Sequence, residues 1–374
     1  MRLNKMLALG LAAMMTMGLA GCGSSGSTTA TTAAPAEQKA TEAAAESKEA
    51  ETTAAATAGG ELTDPVQLTF AAQEVGTAAY NYAAALQTVM LKGLPANSTI
   101  NITTTSPGGV GAPIIVNGGA QCDIVMSNSA PAKWSFEDGI LGNEKTEDIA
   151  CLAGGLGHDF INVMFTKAFV DKTGISTLEE LVEQKYPVKI VIKKDGTLGE
   201  LSAEKVFEAL GVTFDDIQSW GGTVEKTGGD AIKSGLQDDI YDMTIDHIGA
   251  GQSNTTELCL THDMVDIQLA DSTLEKLAGM GYDYITVDAG TWNGQDTDIK
   301  TVGSQQCILV PASMDADLAY ALTKAVCENA SELGDAVASM SYFNPETAGT
   351  STLTGVQLHE GARRYYEEMG YSVD

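Results

Sequence analysis

From Val66 onward, short runs of apolar and β-branched residues alternate with stretches whose apolar positions recur every three to four residues. The runs Val66–Ala72 (VQLTFAA), Thr99–Thr105 (TINITTT), Cys122–Asn128 (CDIVMSN), Tyr186–Ile192 (YPVKIVI) and Tyr241–His247 (YDMTIDH) read as strands. Helical patterns follow from Thr77, over the segment GGVGAPIIV at 108–116, after Gly199 and near Gln252, while a loop is expected after Asn128. Strand followed by helix, repeated, predicts α/β architecture with largely parallel sheets. Ser176 with Glu179, and Ser272 with Glu275, have the spacing of helix capping boxes. No period of 20 to 50 residues is visible, so the chain is not a repeat array.

The first sixty residues follow a different pattern. Arg2 and Lys5 precede an uncharged stretch from Met6 to Gly21, the layout of a secretory leader and too short and small-residue-rich for a spanning helix. Leu19-Ala20-Gly21-Cys22 resembles the bacterial lipobox, which implies cleavage before Cys22 and acylation of its thiol. An ordinary secretory signal that happens to contain a cysteine is the alternative. Gly23 to Gly60 is mostly Ala, Thr, Ser, Gly and Glu, with one proline and no aromatic residue. It lacks the apolar surface to offset the entropy of ordering it, and is expected to be a flexible tether spanning roughly 30–35 Å.

Charge narrows the function classes. The 374-residue chain carries 50 Asp+Glu against 21 Lys+Arg, of which 45 and 17 fall in residues 61–374. Nucleic acid is excluded as a partner, because phosphate binding needs clustered cations, and anionic lipid repels such a body. After Arg2, the arginines are Arg363 and Arg364 alone. An anionic ligand must therefore be held without the guanidinium fork that usually grips a carboxylate. Apart from Cys22, the cysteines are Cys122, Cys151, Cys259, Cys307 and Cys327. They form no C-x-x-C pair, and an odd count precludes a complete disulfide framework. They read as small core residues, with one bridged pair left open.

In open α/β sheets, ligands bind beyond the carboxyl ends of strands, where helix N-termini offer free N–H groups. Five polar, Gly-rich turns occupy such places. They contain Gln73, Glu74, Thr77 and Tyr80; Ser106, Gly108 and Gly109; Ser127 and Asn128; Gly196 and Thr197; and His247, Gly251 and Gln252. Singly, each is an ordinary turn; together they suggest a composite polar ligand site. No G-x-G-x-x-G fingerprint and no Walker lysine is present, so no phosphate cofactor is expected. Each of the four histidines adjoins an acid in sequence, which 50 acids make commonplace, and no pair has metal-ligand spacing. No G-x-S-x-G elbow appears. With no nucleophile in a recognisable setting, the chain reads as a binder rather than an enzyme, without cofactor or metal.

The C-terminal third carries a family resemblance. "DAGTWNGQDTDIKTVG" (288–303), "AYALTKAVCENASEL" (319–333) and "QLHEGARRYYEEMGY" (357–371) resemble, in order and spacing, the TAXI family of TRAP-transporter solute receptors. Ser106 to Val110, Ser127-Asn128 and Gly249-Ala250-Gly251 are similar to its cleft turns. The chain departs from the family at 72–81 and 193–197, and has Trp292 and Glu360 where Tyr and Pro are common. The resemblance implies a class II periplasmic-binding-protein fold, two α/β lobes joined by a hinge. It implies an extracytoplasmic receptor that closes on a small carboxylate or amino acid, glutamate-like or dicarboxylate-like, and delivers it to a sodium-coupled TRAP permease. The expected layout is a leader at 1–21, a tether at 22–60, a first lobe at 61–165 plus 300–374, and a second lobe at 166–299. An ABC-importer receptor on the same fold stays open, as do a lipoprotein enzyme and a surface adhesin.

Overall fold

The computed structural model describes residues 62–75 and 77–374; the leader, Cys22 and the tether lie outside the described residues. Strand formation follows the apolar runs: β1 (Gln67–Ala71), β2 (Thr99–Thr103), β3 (Ile124–Asn128), β4 (Ala150–Ala153), β5 (Asp159–Thr166) and β6 (Lys189–Lys193). Then come β7 (Thr223–Thr227), β8 (Met243–Gly249), β9 (Met264–Asp266), β10 (Asp283–Val287), β11 (Ile299–Gly303) and β12 (Gln306–Val310). Two five-stranded sheets result, ordered β2-β1-β3-β12-β4 and β7-β6-β8-β5-β9, with β10 and β11 forming an antiparallel hairpin.

The two sheets share one plan. Three strands run parallel in each, and the fourth position is taken by an antiparallel strand that the chain brings across from the other sheet. Strand β5 arrives from the first sheet through residues 154–158, and β12 returns through Ser304 and Gln305. The chain thus has the class II periplasmic-binding-protein fold, two α/β lobes joined at these crossovers.

Two expectations change. The sheets are mixed rather than largely parallel, because the exchanged strands enter antiparallel. Strand β5 pairs along β8 from Asp159 to Phe165, so residues 159–165 belong to the second sheet, not the first. Likewise, β11 pairs with β10 up to Gly303.

Each lobe has its own core. Phe70, Leu86, Ile124, Leu152, Leu322 and Tyr366 fill the first, and Phe165, Ile190, Phe207 and Ile245 the second. The helices Ala316–Glu328 and Glu360–Met369, which carry two of the C-terminal motifs, pack together on the first lobe. Tyr366 is fully buried there, its hydroxyl donating to Leu152 O at 3.1 Å. The five described cysteines are buried free thiols.

Helix starts differ from the expected boxes. Thr177, not Ser176, caps the helix Leu178–Glu183. Ser272 lies inside the helix Asp271–Gly279, whose free N–H at Ala270 is instead met by Glu179 from the other helix at 3.0 Å. No loop follows β3: the helix Ser129–Glu137 begins at once.

Candidate functional site

At the carboxyl end of β1, the chain turns through Gln73 and Glu74 into the helix Ala78–Met90. At the end of β2, it turns through Ser106 to Gly109, and β3 ends on Ser127 and Asn128. These turns converge. Gln73, Ser106, Gly108, Gly109, Ser127 and Asn128 line one cavity of ≈ 220 Å³, together with Tyr82 and Gln306. Its lining carries no charged side chain. Ser106 Oγ accepts from Gly108 N–H at 3.2 Å, and Ser127 Oγ donates to Gly109 O at 2.7 Å, which pins the turn to the end of β3.

Gly108 sits at φ +98°, and a Cβ at Gly109 would run into Asn128 Oδ1. Gly109→Ala therefore displaces Asn128 from its 2.8 Å bond to Ser304 O. The expected loss is about 1–3 kcal/mol of stability, read as a lower melting temperature; an unchanged melt would show that this turn is slack.

Three other first-lobe candidates do not line the cavity. The Thr77 hydroxyl donates to Glu74 O at 2.7 Å and accepts from Tyr80 N–H at 3.2 Å, so it is a helix cap whose one donor is spent. Glu74 is exposed, and Tyr80 packs half-buried against the lobe core.

In the second lobe, β6 ends on Lys193 and β8 carries Asp246. Lys193 Nζ lies 3.2 Å from Asp246 Oδ2, both largely buried. Burial pushes the Asp246 carboxyl above its ordinary range, while Lys193 and the His247 N–H pull it back. The pair lines a small cavity of ≈ 20 Å³ with Asn162, Thr244, Gln252 and Asn254. Gln252 Oε1 accepts from Thr255 N–H at 2.7 Å, capping the helix Ser253–Thr261. Thr197 is likewise a cap: its hydroxyl donates to Lys194 O and accepts from Glu200 N–H. Gly196, at φ +76°, faces Leu141 of the first lobe, whose Cδ2 lies 3.6 Å from where a Cβ would stand. Gly251, at φ +78°, is exposed in the turn before Gln252. Of the second-lobe candidates, Gln252 alone lines this cavity.

His247 points to the opposite face of β8 from Asp246, as strand alternation requires. Its Nε2 accepts from Ser304 N–H at 2.9 Å. Burial lowers its pKa to about 4, although Asp159 opposes the shift. The imidazole is therefore neutral, and a cationic His247 gripping an anion is not its role here. It belongs to the joint: Ser304 O accepts from Asn128 and Ser304 Oγ accepts from Ala130 N–H at 2.8 Å. All three polar groups of Ser304 thus tie β8 of one lobe to the end of β3 in the other. Trp134 strengthens the same junction, its Nε1 donating to Met280 O at 2.7 Å.

The sequence reading missed Lys193, Asp246, Ser304 and Gln306. Lys193 was visible as a cation at a predicted strand end; Ser304 and Gln306 act through a crossover that only tertiary structure reveals. A larger groove of ≈ 830 Å³, lined by Glu204, Phe214 and Lys226 among others, contains none of the candidates.

The chain belongs to the NMT1-like family, whose model matches residues 70–370. None of the curated proteins matches the chain in sequence. Among solved structures, it is similar to a TctC solute binding protein from Polaromonas, at 14% identity over 73% of this chain and 87% of that one, with a TM-score of 0.49. It is also similar to MatC from Rhodopseudomonas palustris with bound malate, at 12% identity over 82% and 98% of the two chains and a TM-score of 0.45. The architecture itself rests on the strand order and crossovers described above, not on these likenesses.

Proposed function

We propose that the protein is a lipid-anchored receptor of the TAXI type, which captures a small organic acid or amino acid between its lobes and hands it to a sodium-coupled TRAP permease. One observation carries the ligand class. An uncharged, polar cavity in the first lobe is linked through Asn128, Ser304, His247 and Asp246 to a strand-end lysine in the second. Neutral donors and Lys193 suit a carboxylate in a chain that keeps both body arginines on the helix Glu360–Met369. The C-terminal motifs support the receptor type, and the lipobox supports the anchor.

A thermal-shift panel of amino acids, dicarboxylates and keto acids tests the ligand class. A ligand that binds the native state alone adds about 2.7 kcal/mol at a hundredfold excess over Kd. Failure of every carboxylate in the panel to stabilise the protein would overturn the reading. The anchor is tested separately: Cys22→Ser is expected to move the protein from the membrane to the soluble fraction with the melting temperature unchanged. A variant that stays membrane-bound refutes acylation at Cys22.

A further inference from the structure

We propose that Lys193 and Asp246 are the specificity-determining pair of the second lobe, admitting a ligand with at most one net negative charge and rejecting a dianion. The inference rests on the carboxylate-receptor reading and adds the charge rule to it.

Charge bookkeeping over the two cavities leads there. The first-lobe cavity is lined by no charged side chain. The charges lining the second are Lys193, Lys233 and Asp246; Lys233 is engaged by Glu257 at 2.6 Å and Lys193 by Asp246 at 3.2 Å. A carboxylate entering here meets one lysine that already has a counter-ion. A second carboxylate meets no unpaired cation among the lining residues, only the cost of losing water. Asp246 is held in place rather than free to swing aside: its Oδ1 accepts from His247 N–H at 2.9 Å, and it packs where a Cβ on Gly199 would stand.

An independent observation marks the same spot as a ligand subsite. Thr244 Oγ1 is buried without a hydrogen-bond partner, and Thr244 lines the cavity beside Asp246. The ≈ 20 Å³ there admits about one water-sized group. A hydroxyl, an amide nitrogen or an ammonium has Thr244 and Asp246 to pair with there, whereas a second carboxylate meets the like charge of Asp246.

The test compares acids of the same shape and different charge. Calorimetric titrations use succinate and glutarate, each against its monoamide, on the wild type, Asp246→Asn and Lys193→Gln. The wild type is expected to bind a monoamide at least tenfold more tightly than the corresponding dianion. Asp246→Asn is expected to shrink that preference about tenfold, and Lys193→Gln to weaken every acid tenfold or more. Equal wild-type affinity within each pair overturns the charge rule and leaves the carboxylate reading standing, as does an unchanged ratio in Asp246→Asn. A wild type that binds none of the four overturns the inference, and the wider thermal panel decides whether the carboxylate reading falls with it. Should a variant fail to fold, the wild-type comparison within each pair still decides.

Discussion

Asp266→Asn is expected to raise the melting temperature by several degrees at pH 7.5 and by little at pH 4. Asp266 sits half-buried on β9, and its Oδ1 accepts from Asn162 Nδ2 at 3.0 Å. Burial outweighs that single bond and pushes the carboxyl up to about 6. A carboxyl whose folded pKa lies above its unfolded value holds its proton more tightly in the native state. Its contribution is therefore full below about pH 4 and is lost as pH rises through 6. At neutral pH, the ionised group costs about 2–3 kcal/mol. Asparagine retains an oxygen to accept from Asn162 and never ionises. Melting curves at the two pH values check this; an equal shift at both would place the effect in packing instead of charge.

Much of the fold was legible because its strands are written as short apolar and β-branched runs. β1, β2 and β3 fall within the runs picked out by pattern alone, and β6 and β8 overlap theirs, running on to Lys193 and Gly249. Strand β5 was harder. Its sequence DFINVMFT is as apolar as the others, but periodicity does not say which sheet a strand joins. That depends on β5 crossing to pair with β8, a choice made by the tertiary fold. The capping errors have a similar cause: Ser-x-x-Glu is a local signal, and at Ala270 a glutamate from a distant helix satisfies the donor instead.

The candidate site was legible to the extent that polar turns at strand ends had to be somewhere useful. Six such residues do line one cavity in the first lobe. What the pattern could not separate was a hydroxyl aimed at a ligand from one spent on a helix end. Thr77 and Thr197 look the same in sequence as a ligand donor, yet each is an N-cap. The scarcity of arginine pointed to neutral donors; it did not point to Lys193, whose value depends on Asp246 lying 3.2 Å away on a neighbouring strand.

The Asp246-His247 pair makes the same point and leads to the second large effect. In a strand, adjacent side chains take opposite faces, so one of the two lines the second-lobe cavity and the other packs at the lobe junction. The structure gives the cavity to Asp246 and the junction to His247. Ligand affinity is therefore expected to be unaffected by His247 ionisation between pH 5.5 and 7.5. Stability is not. A histidine whose folded pKa is depressed to about 4 binds fewer protons in the native state than in the unfolded chain. Its contribution is present above the unfolded value near 6.5 and is lost as pH falls toward 4, a difference of about 3 kcal/mol. This runs opposite to Asp266, so the two titrations partly cancel in the wild type between pH 4 and 6. His247→Gln keeps an acceptor for the Ser304 N–H and removes the proton. Chemical denaturation at pH 4.5 and 7 should then show the variant losing less stability on acidification than the wild type. If instead the wild type binds its ligand severalfold more tightly at pH 5.5 and His247→Gln abolishes that gain, the imidazole is charged and faces the ligand, and the joint described here is misassigned.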